Sequence, residues 1–183
     1  MKKIRKEKGS ITLEACMVVP MFITLMLLIN GIFIMFMGQQ IVAHALVQSA
    51  KSLAFDPYAA GRVSADEENK LAVLFVELFT LGDTNYVSTD EWHEDADYNL
   101  AGLVKERFAA YVKPNETDAD ALLELVGVHD GLDGINFSES KVENGVLTVK
   151  IKYTQDFVFN LADAASFERE MEIKIKLFQY LTI

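Results

Sequence analysis

The chain has 183 residues, 51% of them apolar, with one cysteine and a formal net charge of −10. An acidic balance of that size argues against a nucleic-acid-binding surface, which needs basic groups for phosphate. A single cysteine excludes an intrachain disulfide and a thiolate metal site. The charge is uneven: residues 1–9 hold five of the 17 Lys/Arg and one of the 27 Asp/Glu, which leaves 12 bases and 26 acids, a net of −14, beyond Gly9.

Directly after the basic segment comes an uncharged run, ACMVVPMFITLMLLINGIFIMFM, at residues 15–37. As helix it is about 35 Å long at ~1.5 Å per residue. A hydrocarbon core of about 30 Å needs roughly 20 such residues, and a helix apolar on every side belongs in a core or a membrane. The run therefore reads as a single membrane-spanning helix. Basic residues before such a helix stay on the cytoplasmic side, so the N-terminus is expected inside and residues 38–183 outside.

Three kinds of signal share this outline. A cleaved secretory signal finds a small-x-small site in Ala43-His44-Ala45, but its apolar core should be about 7–15 residues. A lipoprotein signal fails because Glu14 stands two residues before Cys16 and the apolar stretch follows the cysteine. A plain uncleaved anchor explains the charge and the run, but not the Gly-Ser step or Glu14. A class III, prepilin-type signal accounts for both: the basic leader ends at Gly9, cleavage makes Ser10 the first residue, and Glu14 becomes the fifth. An acid near hydrocarbon is costly unless paired or protonated. A neighbouring subunit's new ammonium at Ser10 can pair with it and so set register between helices. The competing reading of Glu14 is an acid favoured by the dipole at a helix start.

The segment KGSITLEACMVVPMFITLMLLI resembles the start of TadE-like pseudopilins of tight-adherence (Flp-type) pilus systems, with Gly9, Glu14, Ala15 and Pro20 at the matching places. GQQIVAHALVQSAKSLAFD resembles the same family's continuation, and the similarity covers residues 8–55. Major Flp pilins place Tyr after the Glu, where this chain has Ala15, and they are much shorter; both points favour a minor pseudopilin. The resemblance implies a prepilin peptidase that cuts between Gly9 and Ser10 and assembly with other pilin or pseudopilin subunits through the inner-membrane pilus assembly platform. It further implies a structural role in adhesion or secretion, with incorporation into a surface filament and no cofactor. The alternative is an uncleaved single-pass membrane protein whose extracytoplasmic domain binds a ligand or partner.

Pro20 should kink the helix by removing a hydrogen bond, and Asn30 has the chemistry to bond across a helix interface. Past Met37, the residues Val42, Ala45, Leu46, Ser49 and Leu53 fall at steps of three and four, an amphipathic stripe. Asp56-Pro57 should end the helix, because proline disfavours helix at the residue before it. The expected organisation is a leader at 1–9, a transmembrane and stalk helix at 10–55, and an extracytoplasmic α+β domain at 56–183.

In that domain Ser64–Glu67 and Ser88–Glu91 read as capping boxes. The first opens a short buried helix through LAVLFVELF (71–79). The second opens a helix carrying Trp92, Ala96, Leu100, Val104 and Phe108, which stops near Lys113-Pro114. A third short helix starts at 117–120 and runs through Leu122, Leu123, Leu125 and Val126. HDGLDG (129–134) is a turn-rich breaker. The period then changes to two. Asn144-Gly145 signals a type I′ hairpin between 135–142 and a strand in which Leu147, Val149, Ile151 and Tyr153 alternate with polar residues. Met171, Ile173, Ile175 and Leu177 repeat the alternation after a crossing at 156–168. Three antiparallel strands with one wet face follow.

Other chemistry is weakly signalled. Asp95, Asp97, Asn99 and Glu106 have part of an EF-hand spacing, but Leu100 stands where the loop needs glycine. The three histidines, His44, His93 and His129, have no ligand-spaced partner, and no serine lies in a G-x-S-x-G turn. No metal, no cofactor and no catalytic constellation is expected.

Overall fold

The computed structural model describes residues 4–65, Trp92, 98–157 and 166–178, with the backbone alone for 4–12 and 59–65. Helix α1 spans Ile4–Ala65, 62 residues without a break, or about 92 Å at ~1.5 Å per residue. Among the described residues two short helices follow, α2 (Leu100–Val112) and α3 (Glu116–Leu125), and then strands β1 (Lys141–Glu143), β2 (Val146–Asp156) and β3 (Ser166–Lys176). The strands form one antiparallel sheet in the order β1-β2-β3. The fold is α+β, as the change of period from helical to alternating demands.

The first half of α1 stands clear of the rest. Every residue from Leu13 to Phe33 is exposed, Gly31 aside. These 21 residues give about 30 Å of bare apolar helix, the thickness of a hydrocarbon core. This helix is long and apolar enough to cross a membrane. The second half of α1 is core. Val42, Ala45, Leu46, Ser49 and Leu53 are all buried, with Ala50 and Ala54 beside them. Each fully buried Val or Leu contributes about 1.5–3 kcal/mol. The stripe packs against α2, β2 and β3, so residues 42–56 are part of the head rather than a stalk beneath it.

Asp56-Pro57 does not end α1. The helix continues through Pro57 to Ala65 despite the cost of about 3 kcal/mol for proline inside a helix. Tertiary contacts at this point outweigh that cost. Asp56 is fully buried and receives two side-chain hydrogen bonds, and Ala54 O accepts from Phe178 N at 3.0 Å. Ser64, read as a cap, is therefore inside a helix. The remainder of that capping box, the 71–79 helix and the box at 88–91 lie outside the described residues.

α2 begins later than its periodicity suggests. Asn99 caps it, its side chain accepting from Gly102 N at 3.1 Å, which satisfies one of the first free amides. Trp92 is buried as expected, but on a turn. Val104 and Phe108 are fully buried, and α2 ends at Lys113 as Pro114 requires. α3 is capped by Asn115, which accepts from Thr117 N. Leu123 and Val126 are buried, whereas Leu125 points outward and is 72% exposed.

Asn144 and Gly145 both have positive φ, 52° and 72°, as a type I′ turn requires. The resulting register puts Leu147, Val149, Ile151, Tyr153 and Gln155 on the inner face, and all five are buried. Opposite them on β3 stand Ile175, Ile173, Met171, Arg169 and Phe167. The strand expected over 135–142 shortens to Lys141–Glu143, with one isolated pairing of Asn136 with Lys152. The cause is local: Asn136 Oδ1 accepts from Ser138 N at 2.9 Å, an Asx turn that draws the chain out of the ladder. β3 starts five residues before Met171, at Ser166, so the crossing is shorter than 156–168.

Candidate functional site

Gly9, Ser10, Glu14 and Pro20 all lie on α1. Gly9 and Ser10 are in its first turns, Glu14 is exposed, and Pro20 is inside the helix with Thr24 Oγ1 donating to its carbonyl at 2.8 Å. Asn30 is also exposed. Glu14 is about 31 Å along the helix from Met35, so these residues form no pocket with the head; what they offer is a lateral helix surface.

The head is fastened to α1 at two places. Near the end of the apolar run, fully buried Gln155 Nε2 donates to Met35 O at 2.9 Å and to Val126 O at 3.3 Å, and its Oε1 accepts from Gln39 Nε2 at 3.4 Å. Gly38 makes this approach possible. A Cβ there would lie 2.7 Å from Gln155 Nε2 and 2.8 Å from Val126 O. About 28 Å further along the helix, Phe178 N donates to Ala54 O, next to Leu177 N donating to Gly145 O. Residues 145 to 155 span about 33 Å as strand. β2 therefore runs beside the helix from one tie to the other.

A buried ion pair strengthens the second place. Arg107 Nη2 lies 3.1 Å from Asp56 Oδ2, with side-chain exposures of 2% and 0%, and Trp92 Nε1 donates to the same oxygen at 3.1 Å. Arg107 Nη1 is buried with no hydrogen-bond partner among the described residues. Polar residues seldom enter a core unpaired, and here one carboxylate joins α1, α2 and the Trp92 turn. Neither Gln155 nor this pair figures among the residues singled out from the sequence, though both carried a signal. Gln155 continues the parity of 147, 149, 151 and 153, and Asp56 continues the helical steps 46, 49, 53.

Two polar clusters lie on the head's surface. His129 Nδ1 donates to Asp156 Oδ2 at 2.8 Å while Ser166 Oγ donates to Asp156 Oδ1 at 2.7 Å; the two bonds, Ser166's first, hold the Asp156 carboxyl below its ordinary range. Histidine and serine thus both bind the same carboxylate, an arrangement that staples three chain segments. Elsewhere Glu139 meets Lys150 at 2.6 Å and also Lys152, and Lys150 meets Glu170 at 2.9 Å. Hydrogen bonds from Lys150 and then Lys152 push the Glu139 carboxyl down to about 2, and Glu139 and Glu170 raise the Lys150 ammonium.

Among the described residues no group of three or more His, Cys, Asp or Glu is placed to hold a metal ion. Asp95 and Asp97 lie outside those residues; Asn99 is a helix cap and Glu106 is exposed on α2. At HDGLDG, Asp120 Oδ1 on α3 accepts from Leu132 N at 2.7 Å and the turn's Asp133 pairs with Lys105, so these two carboxylates hold the loop. Cys16 is free and exposed on the apolar helix.

No protein-family model, no curated protein and no solved structure matches this chain.

Proposed function

We propose that this chain is a minor pseudopilin, a structural subunit of a tight-adherence-type pilus or a related secretion filament. The observation that carries the reading is the form of α1: one uninterrupted helix, bare and apolar over 13–33 and core-forming over 42–56. A helix so built anchors a head in a membrane and, after extraction, offers the same bare surface to neighbouring subunits. The basic leader keeps the N-terminus cytoplasmic, and the acidic head faces outward. A prepilin peptidase cuts after Gly9. Glu14, exposed on the helix side, then meets the terminal ammonium of an adjacent subunit, and a subunit out of register leaves its acid unpaired in an apolar packing. The role is structural rather than catalytic: to initiate, cap or support a filament.

The test is assembly in the native host. Wild-type protein is expected in the sheared surface fraction or in cross-linked complexes with other pilins. Glu14→Ala should remain in the membrane unassembled, while Glu14→Asp retains part of the wild-type level. Equal assembly of wild type and Glu14→Ala would overturn the register role.

A further inference from the structure

The structure fixes which end of the head lies next to the apolar span. The Gln155 tie joins the head to Met35 and Gln39, immediately after the last fully bare residues of α1, and the other tie is at Ala54. The residues around Gln155 therefore form the span-proximal rim, and the Asn144-Gly145 hairpin is about 30 Å beyond it along β2. Among the described residues that rim carries two large apolar side chains that lie outside the core cluster. Leu125 is 72% exposed and precedes Val126, whose carbonyl accepts from Gln155. Phe167 is 44% exposed and is the register partner of Gln155 on β3. On α1 at the same level, Phe36 and Met37 are exposed as well. At the far end of the sheet, the hairpin's neighbours Lys141, Glu143 and Lys176 are charged and exposed, and Phe178 is exposed beside the second tie.

We infer that this rim is a membrane-contact surface: Leu125 and Phe167 enter the interfacial zone of the bilayer beside Phe36 and Met37, so the head rests on the lipid rather than standing off on a stalk. The inference rests on residues 13–33 being the membrane span. Three observations select lipid as the occupant. The bare helix is about 30 Å long and ends at this rim, so a bilayer filled by that helix has its interface at the level of Leu125 and Phe167. Aromatic and aliphatic side chains with polar neighbours suit that zone. Phe36 and Met37 are exposed on α1 next to the Met35 tie, and an apolar patch beside a spanning segment gains by contact with acyl chains. Glu124, Asp130, Asp156 and Glu168 stand near the same rim, so the attraction is apolar and a zwitterionic surface suits it better than an anionic one.

The test uses the full chain in phosphatidylcholine nanodiscs, with Cys16→Ser as background and single nitroxide labels at Leu125→Cys, Phe167→Cys, Leu25→Cys and Glu143→Cys. Power saturation compares collisions with oxygen, which partitions into lipid, and with a nickel chelate, which stays in water. Labels at 125 and 167 should show an oxygen-to-nickel ratio several-fold above that at 143, approaching the mid-span value at 25. If 25 is lipid-exposed while 125 and 167 match 143, the rim contact is wrong and the span stands. If 25 is aqueous, the span itself is wrong and the inference falls with it.

Discussion

Removing Asp56 should be as damaging as truncating a fully buried core side chain in the described part of the head. Its carboxylate is fully buried and receives both Arg107 Nη2 and Trp92 Nε1. Asp56→Ala leaves a guanidinium, 2% exposed, without its counter-charge and an indole N–H without its acceptor. Breaking one side of a buried pair costs about 3–5 kcal/mol, a large share of the roughly 5–15 kcal/mol that holds a typical domain. With a urea slope of about 2 kcal/mol/M, the unfolding midpoint should fall by about 1.5–2.5 M. The assay is urea unfolding of the full chain in detergent, read by circular dichroism and by emission of Trp92, the chain's one tryptophan. Two controls sharpen it. Lys105→Ala removes an exposed pair with Asp133, worth at most about 1 kcal/mol, and should move the midpoint by less than about 0.5 M. Asp56→Leu combined with Arg107→Met removes both charges and should recover most of the loss. An Asp56→Ala shift no larger than that of Lys105→Ala would refute the claim that this pair holds α1, α2 and the Trp92 turn together.

Gly38→Val forces two branches into the space held by Gln155 Nε2 and Val126 O; overpacking of this kind costs about 1–3 kcal/mol and should speed proteolysis between α1 and the sheet in a native-state digest. Gln155→Leu keeps the volume but removes the donor to Met35 O and to the buried Val126 O; loss of the Val126 partner costs about 1–3 kcal/mol, measured as a lowered urea midpoint. The Glu139 carboxyl is depressed from 4.5 to about 2 by its lysine partners, so its contribution is complete above about pH 4.5 and is lost as the pH falls toward 2. The midpoint difference between wild type and Glu139→Gln should be constant from pH 8 to 5 and shrink below 4.5; a difference that grows on acidification would contradict the assignment.

Much of this architecture is readable from spacing. The run at 15–37 has no charge, and as helix it is long and apolar enough to cross a membrane. The stripe from Val42 to Leu53 and the alternation from Leu147 to Tyr153 each match one buried face. The failures have a common source, which is that local rules lose to tertiary contacts. Pro57 reads as a stop, yet Asp56 and Ala54 are held from outside the helix. The early part of β3 was hidden because Arg169 occupies an inward position. Asn136 ends its strand through a side chain that composition alone counts as neutral. The polar ties at Gln155 and Asp56 were missed because polar residues within an apolar pattern are usually taken for its edge. The residues proposed for assembly, Gly9, Ser10 and Glu14, differ in kind. They are legible as a motif, and their chemistry depends on a peptidase and on neighbouring subunits.

The most direct measurement is the intact mass and N-terminal peptide of the protein purified from its native host, beside a Gly9→Val variant. The account predicts wild-type protein beginning at Ser10, lacking residues 1–9 and retaining α1, with Gly9→Val retained at full length. Wild-type protein that still begins at Met1, or that begins after Ala45, would contradict it.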